Sequence, residues 1–488
     1  MKRRAVVLGL TAATAAVPTV ALASSRHTAR SGSSPLVFDP AAHTELTTTV
    51  TDATGTVHTV TYRFHKVAAY VAKPVDAVYQ SLNVSVPVSV DGAAVDATDA
   101  PILLANSIGG YMPSSVAGNT GIGGRPGARQ QLALAAGYVV VEPGARGRTL
   151  VDAAGVYYGT APAAIVDLKA AVRYLKFNKG RVPGDVERIV SSGVSAGGAL
   201  SALLGASGDS PLYRPYLEEI GAADASDAIF ASGDWCPITD LEHSDAGYEW
   251  CWGGNPLGNG STVDPSLSKE LAAQYADYLA DLKLRARGYG TLTARNLDDY
   301  LLETFLQPSA ARYLAALPDA ERTAYLSAHP FITWDGTKAS FTWADFLTHV
   351  GARKKNVPSF DGFDLATPEN NLFGTGTTKA RHFTLFSLRH EEGAGARLDA
   401  DIPAKLALMN PMHHLVGKAN PRRSKHWWIR VGTKDSDTSL SVVSNLHARL
   451  KELGDDVNTV YYWDGGHGAD DDPGDFIKWI GRVAGHKR

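Results

Sequence analysis

The sequence has 488 residues, of which 20% are charged and 44% hydrophobic, as in an ordinary soluble globular protein. Its 47 Lys and Arg and 50 Asp and Glu leave a formal net charge of −3, which argues against nucleic acid or an anionic membrane as the main partner. The length exceeds one ordinary hydrophobic core, so we expect two packed units or one core with a large insertion.

Residues 1–23 have the pattern of a secretory signal peptide. Lys2–Arg4 precede an uncharged apolar run that ends in Ala21–Ala23, a small-x-small cleavage pattern. Pro18 and many weakly hydrophobic residues disfavour the alternative, a transmembrane anchor. We therefore expect cleavage after Ala23 and a secreted protein, exported by the Sec or the twin-arginine route. Residues 24–46 are expected to form a flexible arm.

The pattern from residue 47 to 233 predicts the first part of an α/β core. Alternating apolar and polar residues up to Val90 predict antiparallel strands. Short apolar runs then alternate with helical segments, which indicates a mostly parallel central sheet flanked by helices. The predicted strands here are 102–105, 138–141 and 186–194, and the predicted helices are 130–136, 163–177 and 196–204.

This alternation stops between residues 234 and 400 and resumes from 401 to 488. The interrupted region has helical stretches, at 266–285, 309–317 and 319–328, but few runs typical of buried strands. The last part again predicts strands, at 426–431 and 457–463, and helices, at 440–453 and 475–484. We therefore expect one α/β core into which a large, mainly helical lid domain is inserted.

Ser195 is the strongest candidate for a catalytic nucleophile. It lies at the centre of Gly193–Gly197, a G-x-S-x-G sequence that follows a predicted strand and opens a predicted helix. In α/β-hydrolases this sequence forms the nucleophile elbow, where the glycines permit a turn too sharp for larger side chains. The match of both flanks favours a serine hydrolase over a chance turn.

A serine nucleophile requires a histidine base and a carboxylate that orients it. His467 lies on a Gly-rich loop directly after the strand that ends at Trp463, where this fold places its base. The carboxylate should follow the preceding strand, and Asp435 and Asp437 both do so. The residues alone leave these two candidates open.

The oxyanion hole requires two backbone N–H groups. Ala196, which follows the nucleophile, is expected to supply one of them. Gly109 or Gly110 is expected to supply the other, since they follow the strand 102–105 and match the Gly-Gly part of the lipase and esterase motif, without its His. Tyr111 comes next and is a candidate wall of the substrate pocket, with packing in the lid core as the alternative.

Two further sets of residues allow more than one interpretation. Cys236 and Cys251 are the two cysteines, and in an exported protein they could pair or remain two buried thiols. Neither has the local pattern of a cysteine nucleophile or a zinc site. The acidic run 470–472, with Asp475, could bind calcium, but the favoured interpretation is a solvated loop that caps the last helix. The expected mechanism requires no cofactor and no metal.

Five segments carry a resemblance to a known family. They are Ser107–Pro113, Pro162–Leu175, Gly193–Gly198, Cys236–Leu241 and Tyr248–Trp250. Together they resemble the bacterial subtype B tannases, which hydrolyse tannins. The resemblance covers most of the chain after about residue 60 and is more specific than the elbow alone.

The resemblance implies a role for each site residue. It makes Asp435 the triad acid beside Ser195 and His467. It also implies that Asp437 binds a phenolic hydroxyl of the substrate, together with Lys355 and Glu369 from the lid, although Lys354 is adjacent and could be confused with Lys355. Two carboxylates and an ammonium suit the three adjacent hydroxyls of gallate, because the carboxylates accept and the ammonium donates hydrogen bonds.

The expected function is therefore that of a secreted serine esterase that acts on galloyl esters such as hydrolysable tannins, alkyl gallates or catechin gallates. The main alternative is a feruloyl or chlorogenate esterase, and a less favoured one is a non-catalytic polyphenol-binding protein. A peptidase of this fold would usually carry a gating domain, which the sequence does not indicate. A small phenolic ester is the expected partner, with no nucleic acid and no membrane after leader removal, and with a monomer or homodimer both possible.

Overall fold

The structure, a computed structural model, describes residues 36–124 and 127–486, so the predicted signal peptide lies outside the described residues. Its strands are β1 (Thr44–Thr51), β2 (Val57–Val67), β3 (Leu82–Val90), β4 (Ala93–Ala94), β5 (Pro101–Ala105), β6 (Val139–Pro143), β7 (Asp185–Val194), β8 (Ala231–Trp235), β9 (Arg285–Ala286), β10 (Gly290–Thr291), β11 (Thr333–Trp334), β12 (Ala339–Ser340), β13 (His426–Gly432) and β14 (Asp456–Tyr462).

One mixed sheet dominates the fold. Within the described residues it has ten strands, in the order β1-β2-β3-β6-β5-β7-β8-β13-β14, with β4 paired to β3. The pairs from β6 to β14 are parallel, whereas β1, β2 and β3 pair in antiparallel fashion with their neighbours. The mostly parallel central sheet and its antiparallel start agree with the predicted fold class.

The helices of the described residues all follow strand β5 in the chain. They are α1 (Arg129–Ala135), α2 (Ala163–Phe177), α3 (Ala196–Ala206), α4 (Arg214–Glu219), α5 (Leu241–Trp252), α6 (Pro265–Leu282), α7 (Leu297–Leu301), α8 (Gln307–Ala316), α9 (Asp319–Ala328), α10 (Trp343–Val350), α11 (Pro368–Leu372), α12 (Leu385–Glu392), α13 (Ile402–Met409), α14 (Met412–Leu415), α15 (Leu440–Glu452) and α16 (Pro473–Val483). None of the described helices is both long and apolar enough to cross a membrane.

Three strands near the centre of the sheet are buried along their whole length. Every residue of β5, β6 and β8 is buried, which explains why the sequence shows continuous apolar runs there instead of alternation. Helix α3 is also buried at every position, because it packs against both β7 and β8. The nucleophile elbow between β7 and α3 therefore lies among fully buried elements.

A long segment separates two strands that are neighbours in the sheet. Strands β8 and β13 pair in parallel, with Gly233 opposite Trp428, yet residues 236–425 lie between them in the chain. This segment contains α5 to α14 and two short hairpins, β9–β10 and β11–β12. The predicted insertion, 234–400, overlaps this segment, but its first two residues, Asp234 and Trp235, belong to β8.

The predicted arm at residues 24–46 is only partly described, and its described part is attached to the core. Leu36 and Phe38 are buried, and Asn178 bonds both of them, donating to the carbonyl of Leu36 and accepting from the amide of Phe38. Strand β1 begins at Thr44, before the predicted boundary. The apolar residues that follow the polar run explain this docking, because their burial stabilises the attached segment.

Candidate active site

Ser195 lies in the sharp turn between β7 and α3, with φ +61°. The flanking glycines are required by close contacts. A Cβ atom at Gly193 would lie 2.2 Å from the carbonyl oxygen of Gly197, and one at Gly197 would lie 2.4 Å from Oδ1 of Asn106. The positive φ of a non-glycine residue is unfavourable, and its presence at Ser195 is typical of a strained functional turn.

The structure brings Ser195, His467 and Asp435 into one hydrogen-bonded row. Nε2 of His467 lies 2.9 Å from Oγ of Ser195, and Nδ1 lies 3.0 Å from both carboxylate oxygens of Asp435. Asp435 is fully buried, whereas the His467 side chain is 29% exposed. This is the geometry in which a histidine can take the serine proton while a carboxylate holds its tautomer.

Asp435 and not Asp437 faces the histidine. Oδ1 of Asp435 also accepts from the backbone N–H groups of Asp437, at 2.9 Å, and Thr438, at 3.0 Å. Burial alone would lower the pKa of His467, but its hydrogen bonds with Asp435 and with Cys236, together with their charges, raise it above its ordinary value. The pair therefore stabilises the imidazolium that proton transfer from the serine would create.

Two aspartates fix the loop that carries His467. Asp464 bonds Nε2 of His349 at 2.7 Å and Nζ of Lys434 at 2.9 Å. Asp470 accepts from Nη1 of Arg129 at 2.6 Å and from Nε1 of Trp235 at 2.9 Å. Because both carboxylates bond partners on other elements, the base loop is held on either side of the histidine.

The acidic run 470–472, for which calcium binding was one interpretation, contributes two carboxylates to contacts within the protein. Besides the bonds of Asp470, Asp472 accepts from the guanidinium of Arg430 at 2.9 Å and from the hydroxyl of Tyr462. Arg430 is almost fully buried, so this pair joins β13 to the start of α16. These bonds account for the two carboxylates without a cation.

The loop after β5 presents two amides that are available for an oxyanion. Within the described residues, the N–H groups of Gly109 and Gly110 donate to no protein acceptor. Their carbonyls are both held, since Gly109 accepts from the amide of Met112 at 2.9 Å and Gly110 accepts from Nε of Arg148 at 2.8 Å. Gly110 has φ +54°, a value that favours glycine.

Arg148 joins this loop to a second part of the site. Besides its bond to Gly110, its Nη1 donates to Oδ1 of Asn371 in α11 at 2.8 Å. Helix α11 also carries Glu369, and the Arg148 charge lowers the pKa of that carboxyl, although burial raises it overall. A sequence pattern could not reveal this contact, because Arg148 and α11 are far apart in the chain.

We expect Arg148→Met to lower kcat by roughly 10–100-fold, because the carbonyl of Gly110 would lose the donor that orients it, and an oxyanion-hole donor is worth 10²–10³-fold. Steady-state hydrolysis of methyl gallate would measure the change. Arg188→Met, at a half-exposed arginine of β7 paired with Asp185, is the matched control. An unchanged kcat in Arg148→Met would show that the loop is held without this bond.

Glu369 is the most unusual of the predicted ring-binding residues. It is 4% exposed, and its Oε2 has no hydrogen-bond partner among the described residues. Burial raises the pKa of its carboxyl, Lys355 and Arg148 oppose this shift, and the charge of Asp437 adds to it. The charges of Lys355 and Asp437 therefore both act on the Glu369 carboxyl. A buried oxygen without a donor is costly, so the site is suited to a ligand that brings one.

The two neighbouring lysines have different contacts. Nζ of Lys355 lies 4.1 Å from the centre of the Phe360 ring, whereas Nζ of Lys354 lies 2.7 Å from Oδ2 of Asp437. Lys354 is 63% exposed, so its pair with Asp437 is weak and easily exchanged. Lys355 is less exposed and influences the buried Glu369, which fits its predicted role better than that of Lys354.

Tyr111 is buried beside the oxyanion loop. Its hydroxyl donates to the carbonyl of Ile238 at 3.2 Å, and burial together with the charge of Glu369 raises its pKa. The hydroxyl is therefore already bonded within the protein. Any contact with a substrate would be made by the ring.

Sequence reasoning did not anticipate the residues that position Lys355. The fully buried carboxylate of Glu249 in α5 forms a two-point ion pair with Arg353, whose Nε donates to the carbonyl of Lys355 at 2.8 Å. The hydroxyl of the adjacent Tyr248 donates to the carbonyl of Ser436 at 2.8 Å. Residues Tyr248–Trp250 were noted only as part of a family resemblance, and their contacts explain why that segment matters.

Cys236 and Cys251 do not pair and are both buried. Burial raises the pKa of the Cys251 thiol to about 11, so this cysteine is an inert core residue. Cys236 follows β8 and has φ +38°. Its sulfur, a carboxylate oxygen of Asp435 and a ring nitrogen of His467 lie within 4.8 Å of one another.

Comparison with known proteins gives a consistent result. Residues 109–259 match the BD-FAE family model. The tannase of Fusobacterium nucleatum is 36% identical, with 92% of this chain and 99% of that chain covered and a TM-score of 0.82. The native tannin acyl hydrolase of Lactobacillus plantarum is 35% identical over the same shares, with a TM-score of 0.79. A tannin acyl hydrolase in complex with ethyl gallate is 36% identical, again over 92% and 99%, with a TM-score of 0.79. No curated protein matches.

Proposed function

This chain belongs to the bacterial tannase family and is a carboxylic ester hydrolase, and from that premise we propose that it cleaves galloyl esters with Ser195, His467 and Asp435. The main support for gallic acid as the acid part of the ester is Oε2 of Glu369, which is buried and has no hydrogen-bond partner among the described residues. All three ring oxygens of gallate can donate a hydrogen bond, whereas ferulate has one hydroxyl and a methoxy group that has no hydrogen to donate.

The proposed reaction begins with attack of Ser195 Oγ on the ester carbonyl carbon while His467 Nε2 takes the serine proton. The negative charge that develops on the carbonyl oxygen is stabilised by the N–H of Ala196 and that of Gly109 or Gly110. His467 then gives the proton to the alcohol oxygen, and the ester C–O bond breaks to leave a galloyl-enzyme. Asp435 remains ionised throughout and keeps the Nδ1–H tautomer in place.

Water completes the cycle by the same route. His467 takes a proton from the water as its oxygen attacks the galloyl-enzyme, and it returns the proton to Ser195 when the gallic acid leaves. The two side chains that exchange the proton are already hydrogen-bonded, with Nε2 of His467 2.9 Å from Oγ of Ser195. The chemistry requires no redox step.

Ring recognition is proposed to use the group formed by Lys355, Glu369 and Asp437. The buried ion pair of Glu249 and Arg353 supports the backbone of Lys355, and Arg148 joins the Glu369 helix to the oxyanion loop. A ring without hydroxyls would leave Glu369 buried and unpaired, which is how a polar site rejects an analogue. The ethyl gallate complex of a relative supports the same choice of acid.

A panel of methyl esters tests this function. We expect kcat/KM for methyl gallate to exceed that for methyl benzoate by about 10⁴-fold, with methyl 3,4-dihydroxybenzoate between them. Glu369→Gln should lower kcat/KM for methyl gallate by roughly 10–100-fold and leave methyl benzoate almost unchanged, because only the hydroxylated ring uses the carboxylate.

Glu187→Gln, the same change at an exposed glutamate of β7, is the matched control and should have no effect. Faster turnover of methyl ferulate than of methyl gallate would replace the proposal with the feruloyl esterase alternative. Equal rates for all the esters would exclude recognition of the ring.

We also propose that the protein is exported, on the basis of the charged start, the apolar run and the small-x-small pattern of residues 1–23. Expression of the full chain in a bacterial host with both export routes should give an extracytoplasmic protein. N-terminal sequencing should then identify Ser24 as the first residue of the mature protein, whereas an intact Met1 on the active protein would contradict the proposal.

A further inference from the structure

We propose that Cys236, Asp435 and His467 form an inhibitory site for a thiophilic divalent cation such as Zn²⁺. A sulfur, a carboxylate oxygen and an imidazole nitrogen converge here, with the three atoms within 4.8 Å of one another. This set combines three side-chain types that bind zinc in proteins. The inhibitory effect rests on the proposed function, whereas the binding itself does not.

The fold holds Cys236 in this position. Its amide donates to the carbonyl of Arg430 at 2.6 Å, and its carbonyl accepts from the hydroxyl of Thr438 at 3.3 Å. Both partners lie on or after β13, the strand that leads to Asp435. The backbone of Cys236 is therefore held against the segment that leads to Asp435, and the Cys236 side chain is buried there.

Binding of a cation would require only small movements of the atoms that contact it. With metal–ligand bonds of about 2.0–2.3 Å, two ligand atoms of a tetrahedral zinc site lie roughly 3.4–3.6 Å apart. Nδ1 of His467 and the oxygens of Asp435 are already 3.0 Å apart. A cation that enters past the partly exposed histidine would move the ring and the carboxylate slightly apart, and the thiol would release its proton to water on binding.

Binding at this position would stop the base without touching the ring-binding residues. Nδ1 is the nitrogen that faces Asp435, and in the working tautomer it carries the proton. A cation on Nδ1 excludes a proton from that nitrogen, so the single proton of the neutral ring moves to Nε2. Nε2 could then donate to Ser195 but could not accept the serine proton. We therefore expect kcat to fall while KM for methyl gallate stays constant.

A second cluster in the described part of the chain also combines carboxylates with a histidine. Asp240, Glu242 and His243 have ligand atoms within 4.8 Å of one another. This cluster has no thiol, so it would not discriminate in favour of soft cations as Cys236 does. Only the first of the two clusters contains a thiol, so a cation bound by Cys236 can be told apart from a cation bound at the Asp240 cluster.

The experiment combines a binding measurement with an activity measurement on the full mature chain. Cd²⁺ is titrated while the ultraviolet charge-transfer absorption of a cadmium–thiolate bond is recorded, and methyl gallate hydrolysis is measured with added Zn²⁺ or Mg²⁺. The variants are Cys236→Ala, Cys236→Ser and Cys251→Ala, the last being the matched control because Cys251 is the other buried thiol. Methyl gallate can itself chelate the added cations, but this effect is the same for every variant and does not affect their comparison.

The expected result is a saturable cadmium–thiolate absorption in the wild type and in Cys251→Ala that is lost in both Cys236 variants. Zn²⁺ should inhibit the wild type and Cys251→Ala alike, whereas inhibition of the Cys236 variants, each relative to its own metal-free rate, should need roughly 10–100-fold more Zn²⁺. Mg²⁺ should have no effect, because it prefers oxygen ligands.

Two results would overturn the proposal. One is absence of the absorption in the wild type, which needs no variant and no esterase activity to observe. The other is equal Zn²⁺ inhibition of the wild type and the Cys236 variants, which would assign inhibition to another site such as the Asp240 cluster. If no methyl ester is hydrolysed but the absorption depends on Cys236, the proposed function fails while the metal site stands.

Discussion

Ser195→Ala is expected to lower kcat for methyl gallate by about 10⁶-fold, because removal of the nucleophile of a serine triad costs as much as removal of the whole triad. Without Oγ, no galloyl-enzyme can form, and the remaining oxyanion hole stabilises only direct attack by water. The residual rate should therefore exceed the rate in water by about 10³–10⁴-fold. Steady-state kinetics measures the loss.

Mass spectrometry provides a second measurement on the same variant. Rapid acid quenching of the wild type with methyl gallate should trap a protein whose mass has increased by one galloyl group, and Ser195→Ala should show no increase. Ser327→Ala removes a hydroxyl from exposed helix α9, where it donates to the carbonyl of Thr323, and should behave as the wild type. Retention of activity or of the mass increase in Ser195→Ala would exclude Ser195 as the nucleophile.

Elements with a regular apolar pattern were the most predictable part of the fold. Helix α2 has the predicted bounds, 163–177, and helix α9 has the predicted bounds, 319–328. Buried strands and amphipathic helices in alternation leave a local pattern, because each must bury one or both faces. The strand before Ser195 and the loop of His467 were predictable for the same reason. In this fold the nucleophile and the base each lie directly after a strand of the sheet.

The contacts that position the site residues could not be predicted in this way. Glu249 and Arg353 form a buried pair, and Arg148 reaches Asn371, but in both cases the partners come from distant parts of the chain. Glu249 and Arg353, each considered alone, resemble ordinary surface charges, and Asn371 resembles an ordinary surface amide. Only the folded arrangement shows that their partners remove them from solvent.

The docked start of the described chain was missed for a related reason. Residues before Thr44 follow a Ser- and Arg-rich stretch, so composition predicted an arm. Asn178, at the end of α2, provides hydrogen-bond partners for the backbone of Leu36 and Phe38. Composition describes the average of a segment, whereas two buried side chains and a pair of hydrogen bonds are sufficient to attach it.

The contacts within the site suggest that ring recognition and oxyanion stabilisation are coupled. Arg148 bonds the carbonyl of Gly110 on one side and Asn371, two residues after Glu369, on the other. A ring that seats against Glu369 would stabilise α11 and, through Arg148, the loop that holds the oxyanion. Binding energy from the ring could thereby lower the barrier at the ester carbonyl instead of only tightening binding.

Asp435→Asn is expected to lower kcat by about 10⁴-fold, and Asp437→Asn is expected to act mainly on KM. The amides of Asp437 and Thr438 both donate to Oδ1 of Asp435, so an asparagine would place its carbonyl oxygen there. Its NH₂ group would then face Nδ1 of His467. The ring would have to accept that hydrogen bond and carry its own proton on Nε2, where it cannot act as a base.

The contrast with Asp437 makes this prediction specific. Asp437 is bonded to the exposed Lys354 and has no contact with His467, so its amide variant should keep the tautomer and lose only affinity for the ring. Methyl gallate kinetics on both variants would separate the two roles, because one loss appears in kcat and the other in KM. A large fall in kcat for Asp437→Asn, with Asp435→Asn nearly unaffected, would reverse the assignment. Because the two carboxylates are two residues apart, the same loop would then supply the orienting group from the other aspartate.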